Sequence, residues 1–332
     1  MNPSTSMRAQ LVAQPGGPLQ PVRLPRPQAA AGEVLVRVHA SGVNPLDLKI
    51  RAGQGAHARQ PLPAVLGMDL AGVVEAIGAG VTTFAPGDEV YGMASGIGGR
   101  QGSLAEYVAV DARLLARKPA SLSMREAAAL PLIAITAWEG LVDRARVGVG
   151  HKVLVHGGAG GVGHIVVQLA RAFGAEVFAT GSAAQRESIE ALGASPIDYR
   201  DETVEQYVQR LTEGEGFDIV YDTVGGATLD AAFAAARYYS GHVVSCLGWG
   251  EHKLAPLSFR GASYSGVFTL LPLLSGRNAA HHGEILAAIA QRVDAGELRV
   301  RLDEQRFSLD DAEAAHQRVL RGEARGKVVV DI

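Results

Sequence analysis

The stretch His156-Gly157-Gly158-Ala159-Gly160-Gly161-Val162-Gly163 limits what this chain can fold into more than any other. It follows an apolar run, Val153-Leu154-Val155, and opens an amphipathic one, roughly Val162–Phe173. Strand, glycine turn, helix is the order in which G-x-G-x-x-G, here Gly158, Gly160 and Gly163, carries meaning. Gly158 allows the tight turn, Gly160 lets backbone approach a pyrophosphate, and Gly163 lets the helix pack close to the strand. The helix N-terminus adds free N–H groups and the positive end of its dipole. A flexible turn that binds nothing leaves this placement unexplained.

Around the loop, strands and helices alternate. Apolar strands read at Lys152–Val155, Glu176–Ala179, Asp218–Tyr221 and His242–Leu247. Helices read at about Val162–Phe173, Ala184–Leu192, Thr203–Thr212 and Thr228–Tyr238. Such alternation implies right-handed crossovers and a parallel sheet. Up to about residue 120 the texture is instead β-rich, with strands at Glu33–Val38, Ala71–Ile77, Glu89–Gly92 and Ser103–Val110. A helix starts near Ser123, a good N-cap with Glu126 three residues later. After about residue 275 come helices at His282–Ala295 and Leu309–Arg321, a short run Arg299–Leu302, and a terminal strand Lys327–Asp331. The expected organisation is a β-rich domain over 7–125, completed by 275–332, with a nucleotide domain inserted at 126–274. A chain of 332 residues has room for two such cores.

Composition excludes several classes. The single Cys forbids an internal disulfide and a multi-cysteine zinc site, and fits a reducing compartment. A formal net charge of −3 gives no support for nucleic-acid binding. No apolar run reaches the ~18 residues of a membrane span. Met1 to Ser6 lack the basic and apolar regions of a signal peptide and read as a frayed end, which leaves the cytoplasm as the expected location. Glycine is abundant, 41 residues, and clusters between apolar runs.

The end of the second strand of the nucleotide domain discriminates between dinucleotides. NAD sites place Asp or Glu there, about 20 residues past the glycines, to hold the ribose 2′-OH. Here Val177-Phe178-Ala179-Thr180 runs into Gly181-Ser182 with no acid. Arg186 lies just beyond, and Tyr199-Arg200 follow the next strand. Basic and hydroxyl groups at that edge favour NADPH. Arg186 alone reads equally well as a solvated helix charge.

Four motifs in order carry a family resemblance: Ala40-Ser41-Gly42-Val43-Asn44-Pro45-Leu46-Asp47, Gly67-Met68-Asp69-Leu70-Ala71-Gly72-Val73-Val74, Ala128-Ala129-Leu130-Pro131 with Thr136-Ala137, and the glycine loop. Together they look like the medium-chain dehydrogenase/reductase superfamily. Within it the chain resembles, from about residue 8 to the end, the zinc-free NADPH:quinone oxidoreductases of the zeta-crystallin-like group. The resemblance implies an α/β fold: a GroES-like β-rich catalytic domain, a Rossmann domain with a doubly wound parallel sheet, and a cleft between them. Zinc-dependent relatives carry Cys and His at the positions of Asn44 and Met68, and another Cys near Leu132. An amide, a thioether and an alkyl group do not make a tetrahedral zinc site, so no metal is expected.

The implied reaction is hydride transfer from NADPH to a quinone or an activated α,β-unsaturated carbonyl. The protein would orient the ring and stabilise the oxyanion that forms. Asn44 is expected to face the nicotinamide. Lys49, where related enone reductases carry a basic residue, would supply charge or a proton to the enolate. The Tyr residues of bacterial quinone reductases are missing, since no Tyr lies between 44 and 90. By the same resemblance Thr136 sits near the nicotinamide, and Gly158, Ala159, Gly160, Gly161, Val162 and Gly163 hold the pyrophosphate. Gly181, Ser182 and Tyr199 line the 2′-phosphate, and Arg186 is added to them by its place just past the strand end. Ser245, Cys246, Leu247, Gly248, Val267 and Phe268 offer backbone to the nicotinamide side. Cys246 reads as a small buried hydrophobe rather than a nucleophile. Lys327 is placed near the cleft without further support, and Gly96–Gly102 is either a mobile loop or a hairpin tip. Two other readings stay open: a 2-enoyl thioester reductase, which would want a Tyr donor, and an NADPH-binding protein with little turnover. The expected partners are a small-molecule acceptor and, by analogy, a second copy in a homodimer or larger homo-oligomer, with Val267–Leu274 a candidate contact.

Overall fold

The alternating run at Glu33 grows into a ten-residue strand around which the β-rich unit is built. The structure, a computed structural model, describes residues 5–332. In chain order its first elements are β1 (Ser6–Val12), β2 (Leu19–Pro25), β3 (Glu33–Gly42), α1 (Pro45–Arg51), β4 (Ala64–Val65), β5 (Asp69–Ile77), β6 (Glu89–Met93), β7 (Tyr107–Asp111), β8 (Leu115–Arg117) and α2 (Met124–Ala128). Ser6 pairs with Pro25 in the β1–β2 ladder, so the expected fray ends before it. Thr5 O accepts the Arg26 amide at 3.0 Å, and Met1–Ser4 of that stretch lie outside the described residues. The expected strand at Ser103–Val110 begins only at Tyr107. The Ser103 and Leu104 amides donate instead to Gly67 O (3.0 Å) and Leu66 O (3.0 Å), which draws that segment over the loop before β5. Ser123 caps α2 as expected, with Glu126 returning to its amide at 2.9 Å.

α3 (Pro131–Trp138) leads into β9 (Lys152–His156), α4 (Gly163–Ala172), β10 (Glu176–Gly181), α5 (Arg186–Ala191), β11 (Ser195–Asp198), α6 (Val204–Thr212), β12 (Ile219–Asp222), α7 (Ala227–Ala235), β13 (His242–Ser245), α8 (Ala255–Phe259) and β14 (Ser263–Gly266). The sheet order is β11-β10-β9-β12-β13-β14 and every pair is parallel. The chain winds outward from β9 in one direction, then returns to β12 and winds outward in the other, which is the doubly wound Rossmann topology. Leu154, Phe178, Phe217, Val220 and Phe233 build the core on one face, with Phe178 and Phe217 meeting edge to face at 5.5 Å. α7 stops at Ala235, short of the expected Tyr238. There the chain turns to bridge Phe217, whose amide donates to Ala235 O at 2.9 Å.

The remaining elements are α9 (Leu271–Ser275), α10 (Ala279–Asp294), β15 (Phe307–Ser308), α11 (Ala312–Leu320) and β16 (Val329–Asp331). β16 pairs antiparallel with β3, so the end of the chain completes the sheet β15-β16-β3-β5-β6-β8, with β7 also on β3. The short run Arg299–Leu302 makes one bridge, Leu302 to Lys327. The chain divides into two units: residues up to Leu132 with Leu270–Ile332, and Ile133–Thr269. No described helix is long and apolar enough to cross a membrane.

Candidate active site

Asn44 is the N-cap of α1, in extended conformation just before Pro45. Proline at the first helical position and an Asx residue before it are the chemistry of a helix start. Asp47, three residues on, closes the capping box by accepting the Asn44 amide at 2.9 Å. Its other oxygen accepts the Gly67 amide at 3.2 Å, which ties α1 to the loop before β5.

The Asn44 side chain is spent inward. Its Nδ2 donates to Asp69 Oδ2 at 2.9 Å, and its Oδ1 accepts from Lys327 Nζ. Lys327 Nζ also donates to Val43 O at 3.2 Å and lies 4.0 Å from Asp69 Oδ2. The second Asp69 oxygen accepts the Leu132 amide at 3.0 Å. Asn44, Asp47 and Asp69 are no more than 1% exposed and Lys327 is 7% exposed, so two carboxylates and one ammonium share a dry pocket. Burial pushes Asp47 up to about 7 and Asp69 up to about 6, partly offset by hydrogen bonds and by Lys327. Burial likewise lowers Lys327, and the two aspartates oppose that shift.

Lys49 lies on the last turn of α1 and is exposed. Its charge reaches His57, which burial and then Lys49 hold below the ordinary histidine value. The Gly96–Gly102 loop is anchored rather than a bare hairpin tip. Ile97 is fully buried, Gly98 N donates to Ala58 O at 3.0 Å, and the Arg100 guanidinium donates to Leu273 O.

In the Rossmann unit the expected cofactor residues gather where parallel strands end. The glycine loop follows β9, Gly181 and Ser182 end β10, Tyr199 follows β11, Ser245 to Gly248 end and follow β13, and Val267 and Phe268 follow β14. This is the carboxyl edge of the sheet, and the order reverses between β9 and β12. The tight turn falls at Gly157 and not at Gly158: Gly157 has φ +74°. Gly158 is needed for closeness, since a Cβ there would stand 2.4 Å from Ala179 Cβ. A Cβ on Gly163 would stand 2.1 Å from Gly157 O. Gly157 N donates to Thr180 Oγ1 and Gly158 N to Thr180 O, which pins the loop to β10.

Past β10, Ser182 caps a short turn with Gln185, and exposed Arg186 pairs with Glu190 at 3.7 Å. Tyr199 N donates to Gly181 O at 3.4 Å, which brings Tyr199 to the edge expected to hold a 2′-phosphate. Arg200 lies over the Tyr199 ring at 5.6 Å. Asp198, overlooked in the sequence, stands opposite Gly181 in the ladder, but its carboxylate accepts the Arg200 amide at 3.0 Å.

On the other side, Ser245 Oγ donates to Asp222 Oδ2 at 2.7 Å and accepts from Leu247 N at 3.0 Å. Asp222 also accepts the Gly225 amide, so the turns after β12 and β13 are held together. The Thr136 hydroxyl meets that of Thr269 at 2.9 Å, and its carbonyl accepts from Tyr221 at 2.6 Å. Burial, helped by Asp222, pushes the Cys246 thiol up to about 12, which keeps it from being a thiolate nucleophile. Of the Val267–Leu274 stretch, Val267, Leu270 and Leu273 are buried while Leu271 is 56% exposed.

A glycine cradle, a helix N-terminus and free backbone at a switch point fit a dinucleotide. The β-rich unit does not fit zinc. Met68 is fully buried, and Asn44 Oδ1 already accepts from an ammonium that would repel a cation. Among the described residues no group of three or more His, Cys, Asp or Glu could hold a metal ion. Fold and site together define a dinucleotide-dependent oxidoreductase.

Comparison with known proteins agrees. The family described as "Alcohol dehydrogenase GroES-like domain" matches residues 30–120, and that described as "Zinc-binding dehydrogenase" matches residues 192–330. An alcohol dehydrogenase superfamily protein from Novosphingobium aromaticivorans superposes with a TM-score of 0.96 at 53% identity, over 98% of this chain and 99% of that one. The quinone oxidoreductase of Coxiella burnetii gives 0.83 at 30% identity, over 98% and 99%. The 2-methylene-furan-3-one reductase of Solanum lycopersicum is 38% identical over 312 residues, which is 92% of this chain and 73% of the reductase. The chain belongs to the medium-chain dehydrogenase/reductase superfamily, in its zinc-free, zeta-crystallin-like quinone oxidoreductase group, and is an NAD(P)H-dependent oxidoreductase.

Proposed function

We propose that this oxidoreductase takes NADPH and reduces an activated α,β-unsaturated carbonyl or a quinone. The observation that carries the cofactor choice is the end of β10. Gly181 and Ser182 present no acid there, Asp198 is turned to backbone, and Tyr199 with Arg200 stands at the same edge. A 2′-phosphate meets hydroxyl and guanidinium groups at such an edge, where a carboxylate would repel it. Bound NADPH supplies the hydride. Gly158 to Gly163 hold the pyrophosphate, and Gly181, Ser182, Arg186 and Tyr199 hold the adenosine phosphate. Thr136 and the backbone of Ser245–Gly248, Val267 and Phe268 position the nicotinamide. Asn44 orients the reacting groups, and Lys49 supplies charge or a proton to the oxyanion of the acceptor.

The names of the tomato and Coxiella proteins, an enone reductase and a quinone reductase, support this acceptor class. A homodimer paired through β14 is consistent with that strand's place at the sheet edge, where its Tyr264 is 37% exposed. The test is the loss of 340 nm absorbance from NADPH, and separately NADH, with 1,4-naphthoquinone, 2-cyclohexenone and a 2-enoyl thioester. NADPH should be favoured by at least about tenfold in kcat/KM, the quinone or the enone being turned over. Turnover of the thioester alone would shift the acceptor class. Tight NADPH binding with no turnover of any acceptor would leave only a binding protein.

A further inference from the structure

Lys327 and Asp69 are absent from every role assigned above, yet both grip the side chain placed at the reaction. The chemistry of the pair fixes which way that side chain faces. Lysine can only donate, so the Asn44 atom against Nζ is the oxygen. A carboxylate can only accept, so the atom 2.9 Å from Asp69 Oδ2 is the nitrogen. The opposite flip would set an N–H against the ammonium and a carbonyl against the carboxylate, two repulsive contacts in a dry pocket. Lys327 is itself held by Val43 O, and Asp69 by the Leu132 amide, so neither partner can follow a flipped amide. What Asn44 has left to offer a ligand is the second N–H of its Nδ2, because its oxygen is turned toward Lys327. That is a donor, the group an oxyanion or a cofactor hydroxyl calls for.

We propose that Lys327 and Asp69 are positioning residues that lock the Asn44 carboxamide in its donor orientation. The proposal rests on the reading that Asn44 serves the reaction. The three residues come from β16's approach, the start of β5 and the N-cap of α1, so the lock also ties the end of the chain to the site.

The test is a mutant cycle on the full-length enzyme with NADPH and whichever of the enone or quinone the wild type reduces. Asn44→Ala, Lys327→Met and the double variant are compared for kcat, acceptor KM and NADPH Kd by cofactor fluorescence. A lock predicts that Lys327→Met lowers kcat about 10–100-fold, the cost of a reacting group misplaced by an ångström or less, with NADPH Kd within about twofold. The double variant should be no slower than Asn44→Ala alone, because both changes remove one function. Lys327→Arg, which keeps a charged donor, should recover most of the loss. Should Lys327→Met fail to fold, Asp69→Asn/Lys327→Met replaces it. That pair removes one charge of each sign and keeps the Asn44 and Gly67 amides on Asp47, but it no longer dictates the flip, and the same non-additivity with Asn44→Ala is expected. Losses that multiply in the double variant would overturn the lock. So would a folded Lys327→Met with wild-type kcat beside a slow Asn44→Ala, and there the reading of Asn44 survives. An Asn44→Ala enzyme as fast as wild type overturns that reading and the lock with it.

Discussion

Lys49 and Lys327 show how differently one residue type behaves in two settings. Lys49 sits in water on the last turn of α1, where its charge also suits the negative end of the helix dipole. Lys327 is buried and committed to three oxygens. If Lys49 protonates or stabilises the enolate, Lys49→Met should lower kcat with an enone by about 10²-fold. Unfolding stability should change by no more than ~0.5 kcal/mol, as for a surface substitution. Lys49→Arg separates charge from proton, because guanidinium keeps the first and does not release the second. Steady-state kinetics and a urea melt of both variants check this, and an unchanged kcat in Lys49→Met would leave Lys49 as a dipole partner only. At this scale the sequence singled out Asn44 and Lys49 as candidates, since both lie in one short stretch. It did not show what surrounds Asn44. Asp69 is 25 positions away and Lys327 is 283, and no local spacing links them. The signal that was present was a lysine just before an apolar terminal strand, Lys327-Val328-Val329-Val330, where a charge must find a buried partner.

Elements were legible where period and turn chemistry agree, and misjudged where the backbone found other partners. The glycine loop belongs to the first kind, although the work is divided differently among its residues. Gly157 takes the positive φ, while Gly158 and Gly163 let β9, β10 and α4 close on one another. Ser103–Glu106 and Ala236–Tyr238 belong to the second kind. Their composition suits strand and helix, but Gly67, Leu66 and Phe217 capture their hydrogen bonds from far along the chain. The loop makes a sharp comparison possible. In Gly163→Ala the new methyl meets the Gly157 carbonyl at 2.1 Å, a backbone atom that cannot swing away. α4 must shift from the turn, at a cost of about 1–3 kcal/mol in stability. NADPH affinity should fall at least about tenfold as the helix N-terminus leaves the phosphates. In Gly161→Ala the nearest atom is Ile133 Cγ2 at 3.9 Å, so stability should hold within ~0.5 kcal/mol. Denaturant melts and fluorescence titration of the two variants read this directly. Equal losses in both would mean that the close approach at Gly163 has no structural weight.

At the scale of the whole molecule, buried titratable groups set how stability responds to acid, and here they oppose one another. Burial holds His156 and His316 at about 4, well below an unfolded histidine. Between those values the unfolded chain binds the extra proton, so these two histidines lose stability as pH falls from about 6.5 toward 4. Asp47 and Asp69 are raised to about 7 and about 6, so in the same window the folded chain holds the extra proton. Their contribution has the other sign, and stability from them grows as pH falls. The large shifts, two on each side, nearly cancel, and the smaller ones (burial lowering His39, His57 and His242, the Asp230 hydrogen bond raising His252) leave the unfolding free energy falling only slightly between pH 6 and pH 5. Below about pH 4 the carboxylates that are held low by partners, such as Asp88 by the Ala85 amide and Arg117 and Asp303 by Arg318, lose their partners and the protein should unfold steeply. The balance can be broken on one side. His316 is buried on α11 and its Nδ1 lacks a hydrogen-bond partner, so an apolar side chain suits the position. In His316→Leu one of the acid-labile terms is gone and the aspartates prevail. Stability should then rise on going from pH 6 to pH 5 by roughly 1 kcal/mol more than in the wild type. Urea unfolding at a series of pH values, at constant ionic strength, measures the two slopes. Parallel profiles would mean that His316 is not held neutral by the fold, and that the flatness of the wild type has another source.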